Sequence, residues 1–303
     1  MLCLEDLPGN LDHFEHLLFD ESWCEKYFIS RRWPRGFSCS RCSRDNIVLS
    51  EPNLTTCPAC GHKFSITAGT LLHGTKISIS QWLTAAWLLC NSYNKLSIRN
   101  LQDKLRIKNY QTARKVMQKL HFLKKMGADM KCMGSIEIAD CALFLKKEKS
   151  NCHLFAAVEI NVKNNVTGRI GIFHSHDLSP ESLGRFLRFC VQDSSVVLLP
   201  DREPYRSFCS GRYLTITEST ATQQGAASHV LASFIASHLH HSSTVFSLKR
   251  LERLRDEFCF QENNKLFPDM LAVFENLVAR LVKNPALSSD SSQTCPGKYG
   301  GEV

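Results

Sequence analysis

Two short motifs, Cys39-Ser40-Arg41-Cys42 and Cys57-Pro58-Ala59-Cys60, decide how the N-terminal half of this chain folds. Each motif spaces two cysteines by two residues, and the segment Ser43 to Thr56 separates the motifs. Two tight turns of this kind direct four thiolates at one ion and complete a tetrahedral shell. The alternative is a set of four unlinked buried cysteines. Because four thiolates leave no open position for a substrate, the spacing predicts a structural Zn2+ held by Cys39, Cys42, Cys57 and Cys60.

Composition limits where the protein works. The other cysteines are scattered singly, a pattern typical of a reducing compartment and not of a disulfide scaffold. No apolar run reaches the roughly 20 residues needed to cross a bilayer, and the first residues do not resemble a signal peptide. We therefore expect no membrane partner and a location in the cytoplasm and nucleoid of a bacterium or archaeon, or in the nucleus of a eukaryote.

The net charge of +8 is concentrated between Lys95 and Lys131, where the acids are Asp103 and Asp129. Ser97 can cap a first helix, residues 107–109 can form a turn, and a second helix follows. One face of that second helix is apolar, with Ala113, Val116, Met117 and Leu120. This arrangement predicts a helix-turn-helix whose second helix enters the major groove of DNA, although such a basic face can also be simply solvated. The candidate DNA-binding residues are Lys108, Gln111, Arg114, Lys115 and Lys119.

From Gly134 onward the apolar pattern changes to one typical of strands. Strands are predicted over 136–145, 153–162, 166–173 and 195–199, with a helix over 180–191. The segment Glu218 to Ser243 shows no clear period. Amphipathic helices are predicted over 246–261 and 268–282, and the tail 284–303 is predicted to be disordered.

Several segments resemble zinc-ribbon insertion-sequence transposases, whose eukaryotic relatives are the Merlin-type elements. The resemblance is carried by the cysteine motifs together with Glu21–Cys24, Arg32–Phe37, Gly61–Ser65, Thr67–Thr70, His73–Lys76, Trp82 and Thr112-Ala113. It returns at Lys249–Phe260, which resembles the closing helix of that family. The resemblance is dense from Glu21 to Leu120 and thin between Leu120 and Lys249.

The resemblance implies an RNase H-like domain in which acids on the first strand, after the fourth strand and on a later helix hold two Mg2+ ions. The sequence departs from this pattern. Ala139 stands where a metal-binding aspartate is implied, and a shift of one residue would be needed for Asp140 to replace it. Asp201 stands at the second position, but Arg202 replaces the glycine that is implied after it. For the third position, Glu218 to Ser237 offers Gln223, Gln224 and His229 but not the implied Asn-to-Lys pattern. Asp193, Glu203 and Glu218 stay open as stand-ins for the missing acids, without positional support.

These observations predict an α+β chain with an N-terminal helical segment (1–32), a zinc ribbon (33–76), a helix-turn-helix region (77–130), an RNase H-like mixed α/β core (131–283) and a tail (284–303). The expected function is binding of transposon-end duplex DNA, with a homo-oligomer on DNA, structural Zn2+ and a degenerate strand-transfer site. Asp140 and Asp201 are the candidate catalytic residues. One alternative is an active transposase that uses Mg2+ for cleavage and strand transfer, and a second is a zinc-ribbon transcriptional regulator.

Overall fold

The computed structural model describes residues 11–37, 39, 41–44, 54–91, 96–128, 131–145, 150–161, 166–208, 211–218, 225–239 and 247–283. The predicted tail 284–303 and the candidate residues Gln223 and Gln224 lie outside these residues. The chain is mixed α/β, and its described residues divide into two compact units. The first unit contains the residues up to Leu120 and those from Met270 onward, and the second contains His121–Asp269.

The elements of the N-terminal part are α1 (Leu11–Leu17), α2 (Glu21–Arg32), β1 (Leu54–Thr56), β2 (Lys63–Ser65), α3 (Ile79–Asn91), α4 (Ile98–Lys104) and α5 (Tyr110–Ala128). The elements that follow are β3 (Ser135–Leu145), β4 (Ser150–Asn161), β5 (Val166–Ser175), α6 (Pro180–Cys190), β6 (Val196–Pro200), β7 (Leu214–Glu218), α7 (Ala226–His238), α8 (Leu248–Asn264) and α9 (Met270–Lys283). None of the described helices is both long and apolar enough to span a membrane.

An aromatic cluster forms the centre of the first unit. The ring of Phe14 lies 4.9 Å from that of Trp87 and 5.0 Å from that of Phe274, in edge-to-face arrangements. Tyr27 stacks on Trp23 at 5.1 Å and also contacts Phe274. Such pairs add stability beyond the burial of their area. Because Phe274 lies on α9, the last helix completes a core that begins in α1 and α2.

The core of the first unit joins segments that are predicted as separate domains. The segments 1–32, 33–76 and 77–130 were expected as separate domains, whereas their described residues up to Leu120 belong to one compact unit. The helix α9, which lies within the predicted core 131–283, packs against α2 and α3 and belongs to the same compact unit. The sequence shows that α9 has one apolar face. It does not show that this face packs against α2 and α3.

A mixed five-stranded sheet organises the second unit, in the order β5-β4-β3-β6-β7. The strands β3, β4 and β5 are antiparallel neighbours, and β6 runs parallel to both β3 and β7. The four strands predicted between 136 and 199 correspond to β3, β4, β5 and β6. One face of the sheet packs with α7 and α8, and the buried side chains of α6 belong to the cluster on the other face.

Two elements of the second unit were not predicted. The strand β7 has the alternating sequence Leu214 to Glu218, which was overlooked because it is only five residues long. Its apolar side chains, Leu214 and Ile216, are exposed in the structure. The helix α7 lies inside Glu218 to Ser243, where no period was apparent. Its first residue follows Gly225, which makes no side-chain cap. The carboxylate of Glu137 on β3 supplies the cap instead, by accepting the N–H groups of Ala226 and Ala227 at 3.1 Å each. A cap from a distant strand leaves no local signal.

Candidate metal centre and charged sites

The two cysteine motifs fold into turns with the same hydrogen bonds. The N–H of Ser43 donates to the carbonyl of Cys39 at 2.8 Å, and the N–H of Gly61 donates to that of Cys57 at 2.9 Å. Ser43 and Gly61 both have positive φ values, 55° and 68°. The second turn joins β1 to β2, so the antiparallel hairpin presents Cys57 and Cys60 at its tip. The left-handed residue after each second cysteine closes the turn, a conformation that glycine adopts at no steric cost.

The four sulfur atoms converge on one point. The Sγ atoms of Cys39, Cys42, Cys57 and Cys60 all lie within 4.8 Å of one another. The pairs Cys39–Cys60 and Cys42–Cys57 are each separated by 3.7 Å. A tetrahedron with Zn–S bonds of about 2.3 Å has sulfur–sulfur edges of about 3.8 Å. The cluster can therefore hold a metal ion such as zinc, as its spacing predicts.

Electrostatics and packing prepare this cluster for a metal. The backbone N–H groups of Cys42 and Arg41 lower the pKa of the Cys39 thiol to about 6. The thiolate, which is the form that binds metals, is thereby favoured at neutral pH. The backbone N–H of His62 lowers the pKa of Cys60, but burial and hydrogen bonds with the neighbouring thiols outweigh it and raise that pKa to about 12. Beneath the sulfur atoms the ring of Phe37 stacks on Phe64 at 4.0 Å and meets Trp33 edge-on at 4.6 Å. Within the described part of the ribbon, these rings form the one hydrophobic cluster, and it is small. A bound ion would therefore contribute much of the stability of the ribbon.

The basic segment forms two helices joined by residues 105–109. Ser97 caps α4 by accepting the N–H of Asn100, as the sequence predicts. Asn109 caps α5 in the same way, because its Oδ1 accepts the N–H of Gln111 at 2.7 Å. Arg106, in the turn, has a positive φ of 51°. The buried side chains include the predicted apolar residues of α5, namely Ala113, Val116, Met117 and Leu120.

Four of the five candidate DNA-binding side chains, those of Lys108, Gln111, Arg114 and Lys115, are exposed. The fifth, Lys119, is partly buried. Its Nζ donates to the carbonyl of Leu71 at 2.6 Å and to that of His73 at 3.4 Å, and it lies 5.7 Å from the centre of the Trp82 ring. Burial and the nearby Lys115 lower its pKa. Lys119 therefore joins α5 to the segment before α3.

Asp140 lies on β3 with a side chain that is only 6% exposed. Its Oδ1 accepts hydrogen bonds from the guanidinium of Arg202 and from the hydroxyl of Tyr205. Tyr205 is fully buried, and both its burial and the charge of Asp140 raise its pKa, so the phenol remains protonated and donates. The carboxylate of Asp140 is thus neutralised and hydrogen-bonded by groups from the loop after β6.

Asp201 is engaged in a second ion pair. The Nε of Arg206 donates to its Oδ1 at 2.6 Å, and this hydrogen bond lowers the pKa of the Asp201 carboxyl. Both side chains of the pair are partly exposed. Each candidate catalytic aspartate is therefore paired with its own arginine. Among the described residues, one group of three or more Cys, His, Asp or Glu side chains is close enough to hold a metal ion. That group is the cysteine cluster.

The register of β3 places Ala139 and Asp140 on opposite faces. Pairing with β4 is continuous from Ile136 to Leu145, so no bulge brings Asp140 to the face of Ala139. Ala139 is buried in the cluster that includes α7 and α8. His229, the remaining described candidate for a third ligand, is exposed on α7. The structure does not bring His229 into a metal-binding group with Asp140 or Asp201.

Comparison with protein-family models and with curated proteins finds no match to this sequence.

Sequence reasoning missed the partners of the two aspartates. Arg202 was noticed only as a departure from an implied glycine, yet it is the cation that pairs with Asp140. Tyr205 and Arg206 follow within the same short loop, so a cluster of arginines and a tyrosine after the fourth strand was the available signal. The capping role of Glu137 gave no such signal because its partners are distant in sequence.

Proposed function

We propose that this protein binds duplex DNA through the exposed basic face at the start of α5, on the plan of an insertion-sequence transposase, and that its target is transposon-end DNA. One observation carries this proposal. Lys108, Gln111, Arg114 and Lys115 are exposed, whereas the opposite face of the same helix is buried against the rest of its unit. The chain thus anchors one side of α5 and leaves a basic side for a partner.

The chemistry of this face suits DNA. Lysine and arginine neutralise phosphates and release counterions, and arginine and glutamine can donate to base edges in the major groove. The same end of α5 carries the partial positive charge of the helix dipole, which favours a nearby phosphate. A second helix that follows a short turn is the usual reading element in helix-turn-helix proteins.

Zn2+ is the cofactor proposed for the cysteine cluster. Cys39, Cys42, Cys57 and Cys60 supply four sulfur ligands at separations close to those of a tetrahedral zinc site. With all four positions filled by protein, the ion would hold the two turns together and leave reactions with substrate to other parts of the chain.

We propose that the second unit is RNase H-like and that its strand-transfer site is degenerate. The sheet order, with antiparallel β4 and β5 and parallel β6 and β7, supports the fold that the resemblance implies. The pairing of Asp140 with Arg202 and of Asp201 with Arg206 supports loss of Mg2+ binding, because the cations already neutralise the carboxylates. An active transposase would have to break both pairs before its metal ions could bind.

The second alternative, a zinc-ribbon transcriptional regulator, requires only the first ~130 residues to form the working protein. The packing of α9 against α2 and α3 weighs against it, because the first unit uses residues from the end of the chain. A fragment that ends after α5 lacks Phe274 and the rest of that packing.

The test reverses Arg114 and Lys115 to glutamate in one variant. The matched control reverses Lys26 on α2 and Arg253 on α8, which are also exposed and change the net charge equally. Fluorescence anisotropy with a labelled duplex, at increasing salt, would measure affinity. We expect the affinity of the first variant for the duplex to fall at least about tenfold. The slope of log K against log salt should also become shallower by about two, since each phosphate contact contributes roughly one to its magnitude.

The control should bind as the wild-type protein does. Equal loss in the two variants would mean that only net charge matters, and unchanged binding in the first would mean that the α5 face is simply solvated. Zinc content and circular dichroism verify that each variant is folded.

A further inference from the structure

An open cleft of about 500 Å³ lies in the second unit, on a part of the surface formed by α6 and by the segment that precedes β7. Its lining includes Arg185 and Arg188 from α6, and Phe208, Arg212 and Tyr213 from the segment after β6. The volume falls within the range of about 300 to 1,000 Å³ that small-molecule sites occupy. The cleft shares no lining residue with α5, with the cysteine cluster or with the pairs of Asp140 and Asp201.

Positive charge dominates this cleft. Arg185 donates to Ser182 at 2.7 Å, and Arg212 lies 3.6 Å from the carboxylate of Asp193 at an exposed position. Within the part of the chain that the structure describes, Arg188 forms no ion pair. The acid in the lining is Glu181, which is exposed. Because Arg212 is paired with Asp193, Arg185 and Arg188 remain opposite one lining carboxylate, an excess that favours an anionic ligand.

Tyr213 provides a second, independent sign of a ligand. Its side chain is 7% exposed, and its hydroxyl makes no hydrogen bond to any residue that the structure describes. A buried hydroxyl without a partner costs free energy, and native proteins leave few of them. Burial and the charge of Asp193 raise the pKa of Tyr213, so the hydroxyl keeps its proton. An acceptor oxygen that entered the cleft would satisfy this donor.

The ring of Phe208 adds an apolar wall. It is partly buried against the cluster on this face of the sheet and also lines the cleft. Aromatic rings and arginine planes beside one another are the surfaces on which nucleobases stack. An inorganic anion could contact the arginines and Tyr213 but would make no stacking contact with the ring of Phe208.

We propose that this cleft binds a nucleotide unit, with the phosphate ester on Arg188 and the hydroxyl of Tyr213 and the base against Phe208. The unit could be a free mononucleotide or one residue of a single DNA strand, since both present the same phosphate and base. Duplex binding by α5 does not require this site.

Isothermal titration calorimetry with the full zinc-loaded chain tests the proposal. Adenosine 5′-monophosphate is the probe, and inorganic phosphate, adenosine and an eight-residue oligothymidylate are titrated separately. We expect the mononucleotide to bind at least about tenfold more tightly than phosphate or adenosine alone. Arg188→Glu should abolish binding, and Tyr213→Phe should weaken it about tenfold, because the lost hydrogen bond is to a charged group.

Control variants separate this site from others. Arg253→Glu on α8 makes the same charge change and should bind the mononucleotide normally, as should the Arg114→Glu, Lys115→Glu protein. Tyr213→Phe removes an unpartnered hydroxyl and should not reduce stability, so reduced binding would report on the ligand. Tighter binding of the oligonucleotide, lost in Arg188→Glu, would identify a DNA strand as the source.

Three results would overturn the proposal. The first is that the wild-type chain binds neither the mononucleotide nor the oligonucleotide. The second is that phosphate and the mononucleotide bind with equal affinity. The third is that Arg188→Glu and Tyr213→Phe both leave the affinity for the mononucleotide unchanged.

Discussion

The cysteine cluster and the two aspartates are both candidate metal ligands, but their surroundings differ. The four thiols converge within 4.8 Å, and backbone N–H groups favour the thiolate of Cys39. Asp140 and Asp201 are instead each joined to an arginine from the loop after β6. The four cysteines can therefore hold a metal ion in the arrangement seen here, whereas each of the two aspartates is already paired with an arginine.

The largest effect is expected at the cysteine cluster. Cys57→Ser should remove the bound Zn2+, because three thiolates and one hydroxyl no longer make a closed thiolate shell. Structural zinc in small ribbons contributes on the order of 10 kcal/mol, so the ribbon should unfold. Elemental analysis of the purified protein would measure one zinc per chain in the wild type and none in the variant.

Cys141→Ser is the matched control, since Cys141 lies on β3 outside the cluster and is partly exposed. It should retain one zinc per chain. Equal zinc content in the Cys57 and Cys141 variants, or no zinc in the wild-type protein, would contradict the assignment.

A smaller effect should follow from Tyr205→Phe. The change removes the hydrogen bond from a buried phenol to the carboxylate of Asp140, and hydrogen bonds to charged groups contribute about 1 to 3 kcal/mol. We therefore expect the free energy of unfolding to fall by that amount in urea denaturation. Arg206→Ala should change stability little, because its pair with Asp201 is exposed and surface pairs contribute little. If both variants lost the same free energy of unfolding, the contacts of Asp140 would stabilise the fold no more than those of Asp201.

The smallest effect distinguishes two lysines of α5. Lys115→Met should weaken duplex binding several-fold, because it removes an exposed charge that can contact phosphate. Lys119→Met should change DNA affinity less but lower the free energy of unfolding by about 1 kcal/mol, because the carbonyl of Leu71 loses its donor. Anisotropy and urea denaturation measure the two quantities. If Lys119→Met weakened DNA binding as much as Lys115→Met, the ammonium of Lys119 would have to leave its carbonyl partners.

Features encoded by local spacing could be predicted from the sequence. The paired cysteines, the cap at Ser97 and the alternating strands from Ile136 each depend on residues a few positions apart. Such patterns are visible without knowledge of tertiary contacts. The buried face of α5 followed from the same kind of period.

Features that depend on distant partners could not be predicted. Glu137 caps α7 across 89 residues, and α9 completes a core that includes the ring of Phe14. Lys119 looks like any exposed lysine in the sequence, and only the fold places the carbonyls of Leu71 and His73 beside it. Likewise, the cations that pair with the aspartates become partners only when the loop after β6 reaches β3.

Asp140 and Asp201 are each paired with an arginine, and we propose that they do not form a divalent-metal site. Titration of Mn2+ into the zinc-loaded protein, with free Mn2+ recorded by electron paramagnetic resonance, tests this central proposal directly. We predict no saturable Mn2+ binding that depends on these residues, so the wild type, Asp140→Ala and Asp201→Ala should give the same curve. Saturable binding of one or two Mn2+ ions that both substitutions remove would contradict the account.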